Sequence, residues 1–313
     1  MIIDAHAHIF CRICGRIGSG LVQDIGFGQV QINGHEPFQL LPPIMEQTTF
    51  PAEVLLKCME WAGVDKAVLL QGPFYGDLNA EVAAAMRRWP QRFVGAAFFD
   101  PWVPDAQRAF NRCMGANGLR IVKLELSEAS GLSGLHPGLS LEDKSISWLW
   151  DELEHRNMVL TVDLGAIGSS SYQTKALGRR LDGHPELKVV IAHLGQPTPA
   201  AEKDPTLWSL WEQQVLLGTR PNVWFDTSAL PHRASGEHYP FPSVGRWIRR
   251  AVELLGPQKL MWGSDAPALL TAANYDQLLS FMQRHLEFLP TADQELILGK
   301  TALEVYFSAS TKG

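Results

Sequence analysis

Two imidazoles and a carboxylate stand at alternate positions near the N-terminus, in Ile2-Ile3-Asp4-Ala5-His6-Ala7-His8. Successive side chains of an extended strand point to opposite faces. The alternation therefore predicts Asp4, His6 and His8 on one face and Ile3, Ala5 and Ala7 on the other. At about 3.3 Å of rise per residue the two histidines lie roughly 6.6 Å apart at Cα. That spacing lets both rings converge on one divalent ion at about 2.0–2.1 Å. A strand with two merely exposed histidines is the plainer reading. Against it, polar residues recur at the C-terminal ends of later β-rich runs: Gln71, Asp100, Lys123, Glu125, Asp163, His193, Asp226 and Asp265.

His193 ends the run Val189-Val190-Ile191-Ala192 and precedes Leu194-Gly195-Gln196-Pro197, so an imidazole is presented where a buried strand becomes a loop. Asp265 follows Leu260-Met261-Trp262-Gly263-Ser264 and puts a carboxylate at the tip of the last strand. Lys123 and Glu125 alternate inward on one strand, either as groups at the site or as an ion pair with each other. Asp100 and Asp226 read first as loop anchors.

The elements that must position these groups are eight β-rich runs, at 2–6, 66–71, 93–98, 119–126, 158–163, 187–193, 222–227 and 259–263. Helical stretches at 51–62, 78–89, 105–114, 146–156, 172–181, 206–217, 244–255 and 275–286 alternate with them, several opened by Pro51, Pro104-Asp105 or Ser145. Eight strand-helix units predict an α/β fold of the (β/α)8 TIM-barrel type, as a single domain over 1–313 with an extra C-terminal helix at 291–307. An open doubly wound sheet is the alternative, disfavoured by the strand count and by the lack of a glycine-rich fingerprint after the first strand. Residues 9–50 form a long loop after the first strand, rich in glycine and proline and far beyond the usual two to six residues or so. We expect part of it to act as a lid over the pocket. Shorter insertions at 127–144 and 228–242 fall on the same face, where barrel enzymes place their active sites.

The chain has 313 residues, 46% apolar and 19% charged, which suits a soluble protein with a large core. Its net charge of −6, with no basic run, argues against a nucleic-acid partner and points to a small molecule. No apolar run approaches the roughly 20 residues of a membrane span, and the first strand begins at Ile2, so a cytoplasmic location without membrane contact is expected. Cys11 and Cys14 have the spacing of one half of a zinc ribbon but no second pair follows. We read them, with Cys58 and Cys113, as free thiols. Association with further copies of the chain is left open.

The runs IDAHAH, AVLLQ, GLRIVKLEL, VVIAHLGQP and LMWGSDAP together resemble the amidohydrolase-related family of metal-dependent barrel hydrolases. Within it they are most similar to the branch of sugar-acid lactonases, 2-pyrone-4,6-dicarboxylate lactonase and aminocarboxymuconate-semialdehyde decarboxylase, over residues 2 to about 307. The resemblance implies one divalent ion, zinc or manganese, on His6 and His8, with Asp265 as ligand or proton carrier and His193 beside the substrate carbonyl. Many relatives carry a histidine ligand at the end of the fifth strand, where this chain has Asp163. Asp163 or Glu125 could replace it, and two carboxylates would favour a harder ion such as manganese. Lactonase members can lack that histidine, and some work without metal, so the resemblance implies an enzyme of this branch with or without a bound ion.

The expected reaction is hydrolysis of an ester-like C–O bond of a lactone, or of an amide. Asp265 would accept the water proton and return it to the leaving oxygen, while His193 holds the developing oxyanion. A non-oxidative decarboxylase is the second reading, and a catalytically inactive barrel that binds a ligand is the third. For the substrate, Lys123, Arg12, Arg16, His232 and Arg233 are candidate carboxylate anchors. Trp102, Phe74 and Tyr75 are candidates to pack on a ring, with loop packing as the plainer role.

Overall fold

The computed structural model describes residues 1–308. Twelve strands run in chain order among the described residues: β1 (Ile3–Ala7), β2 (Cys14–Ile17), β3 (Gly20–Gly26), β4 (Gln29–Ile32), β5 (Phe38–Gln39), β6 (Lys66–Leu69), β7 (Phe93–Ala97), β8 (Ile121–Glu125), β9 (Val159–Asp163), β10 (Lys188–Ile191), β11 (Val223–Asp226) and β12 (Leu260–Met261). Eight of them form one parallel sheet in the order β1-β6-β7-β8-β9-β10-β11-β12. The ends of this sheet meet. Ala5 N donates to Trp262 O at 2.9 Å, Asp265 N to His6 O at 2.8 Å and His8 N to Ala266 O at 2.7 Å. The predicted eight-stranded TIM barrel is therefore the fold, and Asp265 lies beside His6 because the last strand closes on the first.

Valine, isoleucine and leucine dominate these strands, as burial on both faces requires. Inside the barrel, Ile3, Ala5, Val68, Leu70, Ile121, Val190 and Met261 pack with Ala302, Val305 and Tyr306 of the C-terminal segment. That segment is α-helical at Thr291–Glu295 and continues in wider π-type turns at Leu296–Lys300 and Leu303–Phe307. It closes the barrel at the end away from the polar strand tips, and Tyr306 Oη meets Thr161 Oγ1 at 2.8 Å. Helices such as Ala52–Ala62, Pro205–Val215 and Pro242–Leu255 bury their apolar faces on the outside of the sheet. Among the described residues, no helix is long and apolar enough to cross a membrane.

Two expectations need correction. Residues 9–50 are not an irregular loop, because β2, β3, β4 and β5 form an antiparallel sheet in that order. Hairpin turns at Gly26-Phe27-Gly28 and Asn33-Gly34 supply the positive φ values that such connections need. The sheet is tied to the barrel through Arg16 N, which donates to Pro73 O at 2.9 Å, and Cys14 N, which donates to Tyr75 O at 3.3 Å.

The second correction concerns β1. Asp4 pairs with Ala67 and Ala7 with Leu69, so β1 carries one more residue than β6 across this interval. Such a bulge shifts the facing of the residues beyond it. Asp4 accordingly points outward, accepting from Ser264 N at 2.8 Å, Ser264 Oγ at 2.5 Å and Tyr275 Oη at 2.8 Å. Past the bulge His6 and His8 point into the barrel mouth, while Ala7 joins the outer core.

Candidate active site

His6 is fully buried, and its Nδ1 lies 2.9 Å from Asp226 Oδ2 at the end of β11. A carboxylate only accepts, so Nδ1 carries the proton and the Nε2 lone pair faces the mouth. His8 has the same tautomer for a different reason: its Nδ1 donates to the Leu70 carbonyl at 2.9 Å. Between the two Nε2 atoms sits Asp265 Oδ1, 3.2 Å from His8 and 3.7 Å from His6. Burial would raise the Asp265 pKa, but the adjacent His8, then the imidazoles of His193 and His6, hold it well below the usual carboxylate range. Lys123 Nζ, also buried, donates to His6 Nε2 at 3.1 Å. Burial, followed by this ammonium, pushes the His6 pKa down to about 3.

His193 comes from a left-handed turn. His193, Leu194 and Gln196 have φ of 57°, 50° and 58°, and Gly195 has 68°. Such values cost non-glycine residues on the order of 1–3 kcal/mol each, so neighbouring bonds must hold the turn. Trp211 Nε1 donates to Leu194 O at 2.8 Å, Tyr172 Oη to Gly195 O at 3.0 Å, and His193 N to Asp226 Oδ1 at 3.0 Å. The ring this turn presents lies 4.7 Å from His6, centroid to centroid.

Asp163, at the end of β9, lies beside His193. Gln196 Nε2 donates to both of its carboxylate oxygens at 2.7 and 2.9 Å, Gly165 N donates at 2.8 Å, and His193 Nε2 lies 3.4 Å away. Burial would raise Asp163, yet His193, Lys123 and the Gly165 amide keep it well below its ordinary value. Burial likewise would lower His193, but Asp163, Asp265 and Asp226 outweigh it and raise the imidazole pKa. Glu125 sits 3.7 Å from Lys123. Burial, and then the Asp163 carboxylate, pushes it up to about 7.

Above these groups opens a cavity of about 230 Å³. One side is charged, with Lys123, Glu125, Asp163, His193, Asp265 and Arg233, and the other is made by Phe38, Leu40, Phe74 and Tyr75. The Phe38 ring lies tilted against Phe74 with centroids 6.3 Å apart, Phe74 meets Tyr75 edge-on at 5.2 Å, and Tyr75 lies 4.8 Å from His8. Gln71 lines the cavity too, but its amide is committed to Ala96 O at 2.6 Å and to Leu78 N at 3.1 Å.

Of the candidate substrate contacts, Lys123 and Arg233 line the cavity, and Arg233 Nε is buried without a hydrogen-bond partner. Arg12, just before β2, and Arg16, within it, are exposed and do not line the cavity. Trp102 packs against the 127–144 insertion, with Nε1 donating to Asp143 Oδ2 at 2.9 Å. His232 turns to Thr271 Oγ1 at 3.1 Å, and Asp100 meets His136 Nε2 at 2.6 Å. Sequence reasoning missed Gln196, Phe38, Leu40 and Ser228. Gln196 stands within the HLGQP run and Ser228 two residues past Asp226, whereas nothing local marks Phe38 or Leu40.

Of the possible ligand groups among the described residues, His6, His8 and Asp265 fit a divalent ion, whereas in the group of His6, His193 and Asp226 the carboxylate is already taken by His6, the His193 amide and Ser228. His6, His8 and Asp265 bring ligand atoms within 4.8 Å of one another. Both histidines have their outer nitrogens anchored, as metal-binding imidazoles require, and two lone pairs facing an ionised carboxylate favour a cation. Lys123 supplies one positive charge at this point, and a metal ion would compete with it for His6 Nε2. Asp163 falls into a separate group with Glu125 and His193, and its oxygens are already taken by Gln196 and Gly165.

Comparison with known proteins agrees with this fold. An L-fucono-1,5-lactonase from Burkholderia multivorans is 33% identical over 125 residues, a match spanning 38% of this chain and 42% of that protein. A crystal structure of an amidohydrolase from the same species, with bound zinc, superposes with a TM-score of 0.71 at 19% identity, covering 98% of this chain and 99% of the other. One described as a probable 2-pyrone-4,6-dicarboxylic acid hydrolase from Acinetobacter baumannii, with citric acid bound, gives 0.69 at 19% identity and the same coverage. The amidohydrolase family model matches residues 3–307. The chain belongs to the amidohydrolase family.

Proposed function

We propose that this chain is a lactonase that opens the cyclic ester of a small, anionic substrate by attack of water. The observation that carries the reading is the ionised Asp265 carboxylate, flanked by His8 and His6 at 3.2 and 3.7 Å on the cavity floor. An ionised carboxylate beside the reacting carbon can take a proton from water. Asp265 removes that proton as the water attacks, then returns it to the alkoxide released when the ring opens. His193, kept protonated more readily than an ordinary histidine by Asp163, donates Nε2–H to the carbonyl oxygen as it becomes an oxyanion. Losing such a donor typically costs about 10²–10³ in rate.

A divalent ion held by His6, His8 and Asp265 would supply carbonyl polarisation and a lowered pKa for water at the same place. Arg233, with an unpaired buried Nε, anchors a substrate carboxylate or hydroxyl, and the Phe38, Phe74 and Tyr75 wall covers the ring. The 33% match to an L-fucono-1,5-lactonase supports a sugar-acid lactone over an amide. Incubation with a panel of aldonolactones and carboxylated pyrones tests the reading. Each turnover should release one proton and no carbon dioxide, whereas carbon dioxide evolution would assign a decarboxylase instead.

A further inference from the structure

Asp226 does more than anchor His6. Its Oδ2 takes the His6 Nδ1 proton, while Oδ1 accepts from His193 N at 3.0 Å, from Ser228 N at 3.1 Å and from the Ser228 hydroxyl. Ser228 is wholly buried, and its Oγ also lies 2.8 Å from His193 Nδ1. A hydroxyl has one proton to give, and the carboxylate can only accept. The Ser228 proton therefore goes to Asp226, and Ser228 Oγ must accept from His193 Nδ1–H. This order leaves Nε2 of a neutral His193 bare, facing the cavity and Asp163.

We propose that Ser228 is a positioning residue that passes the orienting effect of Asp226 on to His193, so that one buried carboxylate fixes the tautomers of two imidazoles. His6 receives the effect directly and His193 through the serine. The consequence is that the proton His193 gains on becoming the imidazolium sits on Nε2, where it donates to the substrate oxyanion, while Nδ1 stays protonated throughout. Without Ser228 the strongest remaining acceptor for the ring is Asp163, 3.4 Å from Nε2. The neutral ring would then carry its proton on Nε2, pointing at Asp163, with Nδ1 left bare.

This inference rests on the substrate-facing role given to His193 above, but its test needs no substrate. Long-range ¹H–¹⁵N correlation spectra of histidine-labelled full-length protein report which ring nitrogen is protonated. A His193→Gln variant assigns the signal, and the spectra are taken at a pH where the ring is neutral. The expected result is Nδ1–H for His193 in the parent chain and loss of that signal in favour of Nε2–H in Ser228→Ala, with His6 unchanged at Nδ1–H. An Nε2–H form in the parent overturns the proposal, as does an unchanged tautomer in the variant. Should Ser228→Ala fail to fold, the parent spectrum decides alone. Failure of lactone hydrolysis with the expected tautomers would overturn the activity and leave the serine assignment standing.

Discussion

Charge at this site is decided residue by residue. Asp163 is buried and Asp265 largely so, yet their polar neighbours and the imidazoles hold each ionised, while Glu125 lacks enough of either and rises to about 7. Its folded pKa exceeds the ordinary 4.5, so its contribution to stability is complete below pH 4.5 and is lost as the pH rises to about 7. Glu125→Gln removes that loss. Denaturant titrations of both proteins should show the variant gaining on the parent between pH 4.5 and 8, by on the order of 1–3 kcal/mol. A pH-independent difference would contradict the assignment. Arg233 is tested by kinetics: Arg233→Ala should raise KM about 10- to 100-fold, the worth of a charged hydrogen bond, with kcat within a few-fold. A change confined to kcat would place the guanidinium at the reacting bond instead. Most of these groups were legible from the chain, since His6, His8, His193 and Asp265 are polar residues at strand tips. The placement of Asp163 was not, because it depends on Gln196 folding back from a left-handed turn.

At the scale of elements, alternation predicts strand facing only while the strand stays regular. In β1 it places His6 and His8 together correctly and misplaces Asp4, because the bulge arises from the register against β6, a partner some sixty residues away in sequence. The small sheet of residues 14–39 is a similar case. Asn33-Gly34 and Gly26-Phe27-Gly28 are hairpin signals in the sequence, but its strands are short and polar on one face, and their apolar partners lie on the barrel. Gly15 is where sheet and barrel meet most closely. A Cβ there would lie 2.0 Å from Phe74 O and 2.3 Å from Pro73 O. Gly15→Ala should therefore push the sheet off the β6 loop, costing about 1–3 kcal/mol. Hydrogen exchange at the Arg16 amide, which donates to Pro73 O, should accelerate, and unchanged protection there would show that the contact yields freely. Ligand binding should slow exchange mainly around Phe38 and Leu40, where the sheet reaches the cavity.

Across the whole molecule, closure brings distant polar residues together. His6 and Asp265 are 259 positions apart in the chain, and the hydrogen bond from Asp265 N to His6 O sets them side by side. The strand count and the helix alternation made this closure readable in advance, whereas the cavity's apolar wall was not, since Phe38 reaches it only through a second sheet. The central claim is that Asp265 moves the proton in attack by water. The measurement that tests it most directly is steady-state lactone hydrolysis, followed by proton release, for the parent and Asp265→Asn, with substrate binding measured separately by calorimetry. Loss of the base should lower kcat by about 10²–10⁴ while substrate still binds within a few-fold. An Asp265→Asn protein that turns over lactone at close to the parent rate would contradict the account.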